Sequence, residues 1–161
     1  MGFYDRFLVR GKPTDPKINS SDWVYGVLDI VEVMPNPIGA GIDLESQNLY
    51  RITRRKPNFS ADWNLPYPQE HIFVKYGTIG KYTLTDDMEG TKVFEGDIIE
   101  YEELDYNYTA LVFYSKRYGS WMYVTEYGFR QELCWIHNFK VIGNFYDNPE
   151  MLNKYMMEEI E

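Results

Sequence analysis

The chain has little of what most catalytic sites are built from. Its 161 residues include one cysteine, Cys134, and two histidines, His71 and His137. A lone cysteine makes no internal disulfide, which fits a reducing compartment and removes a disulfide framework. Cys134 and His137 form Cys-x-x-His, but without a second Cys pair, and with His71 the one other imidazole, a four-ligand zinc site lacks members. Flanked by Leu133 and Trp135, Cys134 reads as a buried filler rather than a reactive thiolate. The sequence contains no Gly-rich loop of phosphate-binding spacing, no Gly-x-Ser-x-Gly and no His-Glu-x-x-His. Nothing positive points to an enzyme, a metal or a cofactor. No apolar run approaches the roughly 20 residues that span a bilayer. The first residues, Met1-Gly2-Phe3-Tyr4-Asp5-Arg6, show no basic region followed by an apolar one, so the expectation is a cytoplasmic protein without a membrane span.

Aromatics are abundant: 15 Tyr, 9 Phe and 4 Trp make 17% of the chain, well above what a disordered sequence carries. The net charge of −9 has a location. Residues 1–80 hold nine basic and nine acidic side chains, so residues 81–161, with seven against sixteen, carry all of it. An acidic C-terminal half opposes binding to phosphates, and solubility is the plainer use of the charge.

The local hydrophobic period is two, the mark of strands with one buried face. Residues 23–33 read as a long strand, stopped by the Pro and Gly of 34–41, and residues 48–54 as its return. The expectation is an N-terminal β-hairpin unit over residues 1–55, which must dock on something because two strands are rarely stable alone. Residues 56–68, with three Pro, read as a linker. Short strands follow at 71–76, 78–83, 97–103, 106–115, 120–127 and 139–142, a spacing that suggests a small barrel or roll over residues 69–161. The chain should close with a short amphipathic helix, Asn148 as N-cap and Pro149 at the first helical position, with Met151, Leu152, Tyr155, Met156 and Ile160 on one face.

Two further clusters have a functional and a structural reading. Arg51, Arg54, Arg55 and Lys56 lie beside Phe59, Trp63 and Tyr67, the mixture of cations and stacking rings that a single-stranded nucleic-acid site uses. The structural alternative is a solubilised strand edge or pairing with acidic groups. Tyr101, Tyr106, Tyr108, Tyr114, Tyr118, Tyr123 and Tyr127 could form a recognition face, or wall and core of the barrel.

The most informative stretch runs Tyr76-Gly77-Thr78-Ile79-Gly80-Lys81-Tyr82-Thr83 and then from Asp87 through Gly90 and Glu95-Gly96-Asp97 to Ile99. Gly90 and Gly96 sit where turns need positive φ, and Asp87 and Asp97 sit where a carboxylate bonds turn amides, which accounts for both acids without catalysis. These residues resemble the YopX family of small phage and prophage proteins, whose pattern combines Thr-x-Gly-Gln-Tyr-Thr-Gly, an Asp-x-x-Gly turn and an aromatic-Glu-Gly-Asp-Ile run. Trp23-Val24-Tyr25-Gly26 resembles the family's N-terminal strand motif, and the stretch from Val141-Ile142-Gly143-Asn144 to Pro149-Glu150 its ending. Lys81 stands where the family has Gln, and Leu84-Thr85 where it has Gly-Leu. The resemblance implies a mainly β fold with an SH3-like barrel or roll in the C-terminal part, and a phage or prophage origin. It brings no molecular activity, no catalytic residue and no cofactor. The expected function is a non-catalytic accessory protein that contacts itself or another host or phage protein. Nucleic-acid binding through 51–67 is the alternative.

Overall fold

The computed structural model describes residues 3–15, 17–18, 22–33, 47–55 and 68–159. The chain is mainly β and divides into two compact units, residues 7–79 and residues 80–161 together with 1–6.

The first unit holds four antiparallel strands that neighbour one another in the order β4-β3-β2-β1: β1 (Leu8–Gly11), β2 (Val24–Val33), β3 (Gln47–Arg55) and β4 (Gln69–Phe73). The period-two pattern holds in the first half of β2, where Val24 is buried and Tyr25 and Val27 are exposed, and lapses at Ile30, which is exposed although it shares Val24's face. Val9, Val24, Ile52, Ile72 and Val74 form the core on the inner face. The sheet curls until its ends are clasped: Pro13 bridges Val74, Thr14 N–H donates to the Phe73 carbonyl at 2.9 Å and Lys75 N–H to that of Lys12 at 2.9 Å. Gly26 permits the curl. A Cβ there would lie 2.5 Å from the Thr53 carbonyl oxygen, so only a bare backbone lets β2 come this close to β3.

Two expectations change here. The N-terminal part is not a bare hairpin, because β1 and β4 flank it, and residues 69–73, expected in the second part, pair with β3 from Arg51–Phe73 to Arg55–Gln69. The compact unit accordingly runs on to Ile79, beyond the expected 56–68 boundary, most of which lies outside the described residues.

The second unit holds a hairpin of β5 (Gly80–Asp86) and β6 (Lys92–Phe94) and a five-stranded antiparallel sheet. The sheet contains β7 (Asp97–Glu103), β8 (Tyr106–Ser115), β9 (Ser120–Thr125), β10 (Arg130–Glu132) and β11 (Phe139–Asn144), in the order β10-β9-β8-β7-β11. Both faces carry apolar clusters. Ile99, Tyr101, Val112, Tyr123 and Phe139 lie on one, and Ile98, Leu111, Phe113, Met122 and Val124 on the other.

The expected SH3-like barrel is not seen as a closed barrel. The edge of β11 is occupied by the 87–91 turn, through Met88 N–H to the Phe139 carbonyl at 3.1 Å and Val141 N–H to Asp87 Oδ2 at 3.0 Å, rather than by β10.

The C-terminal helix is shorter than its hydrophobic pattern. Pro149–Met151 is one 3₁₀ turn, and α1 (Lys154–Met157) is a single α turn. Its cap is Asn153, whose Oδ1 accepts from Tyr155 N and Met156 N, and not Asn148, whose Oδ1 accepts from Asn144 N at 3.3 Å. Leu152, extended after the 3₁₀ turn, breaks the run. Met151, Leu152, Tyr155 and Met156 still pack on the Ile98 face as the pattern requires, while Ile160 lies outside the described residues.

Candidate interaction surfaces

The basic cluster is split by strand geometry. Alternate side chains of β3 point to opposite faces, so Ile52 and Arg54 share the inner side while Arg51 and Arg55 share the outer one. Arg51 donates through Nε to Asp29 Oδ2 at 2.7 Å, its register partner on β2, and Arg54 pairs with Glu70, its partner on β4. Arg55 is exposed at the strand end. Lys56, Phe59, Trp63 and Tyr67 lie outside the described residues. The register thus gives two of the four cations a carboxylate each, and on the outward sheet face it leaves Tyr25, Val27, Leu49 and Phe73 exposed around the Asp29–Arg51 pair, with Thr53 and His71, bonded to one another at 2.8 Å, on the same face. Trp23 packs at one end with the Arg10 guanidinium 4.4 Å from its ring centre.

The glycine and aspartate motif has structural work to do. Gly96 has φ +84° and Gly90 φ +81°. Asp97, almost fully buried, accepts from Phe94 N–H at 2.7 Å. Asp87 gathers three backbone amides, Glu89 and Thr91 on Oδ1 at 2.9 and 2.8 Å and Val141 on Oδ2. Burial alone would raise its pKa, but the amides of Val141, Thr91 and Glu89 outweigh it and hold the carboxyl below its ordinary value. Tyr82, its ring tilted 44° against that of Phe94 with centres 5.6 Å apart, donates to Asp86 at 2.5 Å; burial first, then that bond, pushes its hydroxyl pKa up. Gly80 is buried at the start of β5. No group of three or more His, Cys, Asp or Glu is placed to hold a metal ion among the described residues.

The tyrosine-rich segment divides. Tyr101 and Tyr123 are core, their hydroxyl pKa values raised mainly by burial, whereas Tyr106, Tyr114, Tyr118 and Tyr127 are exposed. Cys134 is exposed, not buried: the 3₁₀ turn Leu133–Trp135 directs Leu133 into the core and leaves Cys134 and Trp135 outside.

That turn builds a feature the sequence did not announce. An open groove of about 780 Å³ lies on the Ile98 face beside β10. Its floor is Phe113 and Met122, 8% and 7% exposed; Trp135 and Tyr118, 67% and 63% exposed, line it above. Antiparallel register sets Phe113, Met122 and Glu132 in one row across β8, β9 and β10. Glu132 accepts from Trp135 Nε1 at 3.3 Å, and Arg130 is paired with Glu158 at 3.5 Å and Glu159 at 2.5 Å. Arg117 stands in the β8–β9 turn, 5.5 Å from the Tyr118 ring centre, with no carboxylate partner among the described residues. The signal in the sequence is Trp135, a large aromatic in a short stretch without strand or helix periodicity.

No helix among the described residues is long and apolar enough to cross a membrane. No curated protein and no solved structure matches the chain. A family model described as YopX protein matches residues 42–153, which hold β3 to β11 and the glycine and aspartate turns, and the chain therefore belongs to the YopX family.

Proposed function

We propose that this chain is a non-catalytic accessory protein of a phage or prophage, working in the bacterial cytoplasm through protein contacts, and that it self-associates through the outward face of its N-terminal sheet. One observation carries the proposal. The exposed face of an antiparallel sheet is ordinarily polar, yet here Tyr25, Val27, Leu49 and Phe73 stand on it together, and Asp29 and Arg51 neutralise one another among them. A second copy suits this surface. A two-fold axis running between Asp29 and Arg51 would set each against the opposite charge of the other copy, which would let the patch be buried despite a net charge of −9 per chain. Asp87 and Asp97, bound by backbone amides, support the non-catalytic reading. The pairing of Arg51 and Arg54 with carboxylates weighs against the nucleic-acid alternative.

Light scattering of the full chain tests the proposal. A dimer is expected at micromolar concentration, reverting to monomer in Val27→Glu/Phe73→Glu with an unchanged circular dichroism spectrum. A wild-type chain that stays monomeric, or salt-sensitive binding of a labelled oligonucleotide that Arg54→Ala/Arg55→Ala abolishes, would overturn it.

A further inference from the structure

The C-terminal segment covers the Ile98 face of the second unit unevenly. Met156 is fully buried against it, and Glu159 ties the segment's end to β10 through Arg130. Beside that tie the Phe113–Met122 floor opens into the groove, with two large aromatic rings offered to solvent. We propose that this groove docks an extended peptide carrying an aromatic side chain next to a carboxylate.

Three features specify that occupant. The groove of about 780 Å³ is lined by polar and charged side chains except at Phe113, Met122, Tyr118 and Trp135, which together offer one place for a large apolar side chain; between Trp135 and Tyr118, an aromatic ring gains offset or edge contacts as well as burial. The charges are already sorted. Glu132 is engaged by Trp135 Nε1 and Glu159 by Arg130, which leaves Arg117 as the groove's cation without a carboxylate among the described residues. This is the complement an acidic residue of a peptide supplies, since a guanidinium binds a carboxylate in bidentate fashion. Finally, β10 ends the sheet order, so its outer edge can pair with an added strand, and peptide backbone can gain ladder hydrogen bonds while its side chains enter the groove. A nucleic-acid strand would also stack on the rings, but residues 81–161 carry sixteen acidic against seven basic side chains, and that excess opposes a run of phosphates more than a single carboxylate beside Arg117.

The docking surface belongs to the second unit and uses none of the residues assigned to self-association. Selection of a random heptapeptide display library on the full chain tests it. Enriched peptides are expected to share an aromatic residue within two positions of Asp or Glu. A synthetic copy should lose about tenfold or more in affinity on Trp135→Ala, as for a central aromatic anchor. It should lose affinity on Arg117→Glu as well, and recover it when the peptide's acidic residue is replaced by lysine. Both side chains are exposed, so the thermal midpoint should not move, and Val27→Glu/Phe73→Glu should bind the peptide as the wild type does, whatever its oligomeric state. The proposal is overturned if nothing is enriched over a Trp135→Ala control, or if the enriched peptides lack the aromatic and acidic pair. It is overturned equally if Trp135→Ala changes the oligomeric state, or if a labelled oligothymidylate binds and loses its binding in that variant.

Discussion

Replacing Gly96 by alanine should destabilise the second unit through two separable effects. Gly96 has φ +84°, where an L side chain costs about 1–2 kcal/mol. An added Cβ would also lie 2.4 and 2.5 Å from the Phe145 ring carbons Cε1 and Cδ1, inside any van der Waals contact. The backbone has no freedom to retreat, because Gly96 N–H donates to the Val112 carbonyl at 2.8 Å and its own carbonyl accepts from Phe145 N–H at 3.0 Å. The ring must therefore move, and overpacking of this kind costs about 1–3 kcal/mol. Together the terms give about 2–5 kcal/mol. Gly90 supplies the control: its φ is +81°, yet nothing lies within 4 Å of its added Cβ, so Gly90→Ala should cost the backbone term alone. Urea unfolding followed by tryptophan fluorescence measures both. In a Phe145→Ala background the clash is gone, and Gly96→Ala should fall to the cost of Gly90→Ala, the double-mutant cycle reporting the difference as coupling. If Gly96→Ala costs no more than Gly90→Ala in the wild-type background, or if the Phe145→Ala background leaves its cost unchanged, the assignment of Gly96 to a crowded turn is wrong.

Two more predictions follow from the same region. Leu84 sits at φ +66°, so Leu84→Gly should be more stable than Leu84→Ala by about 1 kcal/mol, the reverse of the order at a regular strand position; equal melting midpoints would refute it. The carboxyl of Asp87 lies below its ordinary 3.8 in the folded chain, so its contribution is complete above that pH and is lost as pH falls through the lower folded value. Asp87→Asn should therefore cost roughly 1–3 kcal/mol at neutral pH, and the gap from wild type should shrink below pH 3.8; a gap independent of pH would show that the charge plays no part.

What was legible in the sequence follows how local the causes are. The turns at Gly90 and Gly96 were readable because positive φ and a neighbouring Asp are properties of four or five consecutive residues. The long β2 and β3 were readable because they are rich in β-branched and aromatic residues and bounded by the Pro and Gly of 34–41. The strands β1, β6 and β10 were not, being three or four residues long and stabilised by partners elsewhere, as Arg130 is by register with Val124. Membership of β4 in the first unit depends on pairing with Arg51 to Arg55, which periodicity cannot reveal because either neighbour would suit a five-residue strand. The fate of Cys134 turned on a single 3₁₀ turn that points one of three adjacent apolar residues inward. The partners of the arginines were not legible either: Arg54 and Arg55, adjacent in a strand, face opposite sides, and Asp29 and Glu70, the acids of Arg51 and Arg54, come from other strands. Leu84 shows the converse, since a position where the family pattern has glycine keeps its left-handed backbone even with a leucine in place.

The family match begins at residue 42, between β2 and β3, but the structure does not divide there. β3 pairs with β2 from Val27–Thr53 to Val33–Gln47, and Ile52, with no exposure at all, is buried in a cluster that includes Val9 and Val24. Taken by themselves, β3 and β4 are a two-stranded unit of the sort that is marginal in water, with Ile52 and Ile72 on an uncovered face. The matched segment therefore depends on strands that precede it. The dependence is specific, because the close approach at Thr53 requires that residue 26 have no side chain. The Trp23-Val24-Tyr25-Gly26 motif, which lies outside the matched range, is in this sense part of the same folding requirement: its valine joins the core that buries Ile52, and its glycine sets the distance at which β3 can pair.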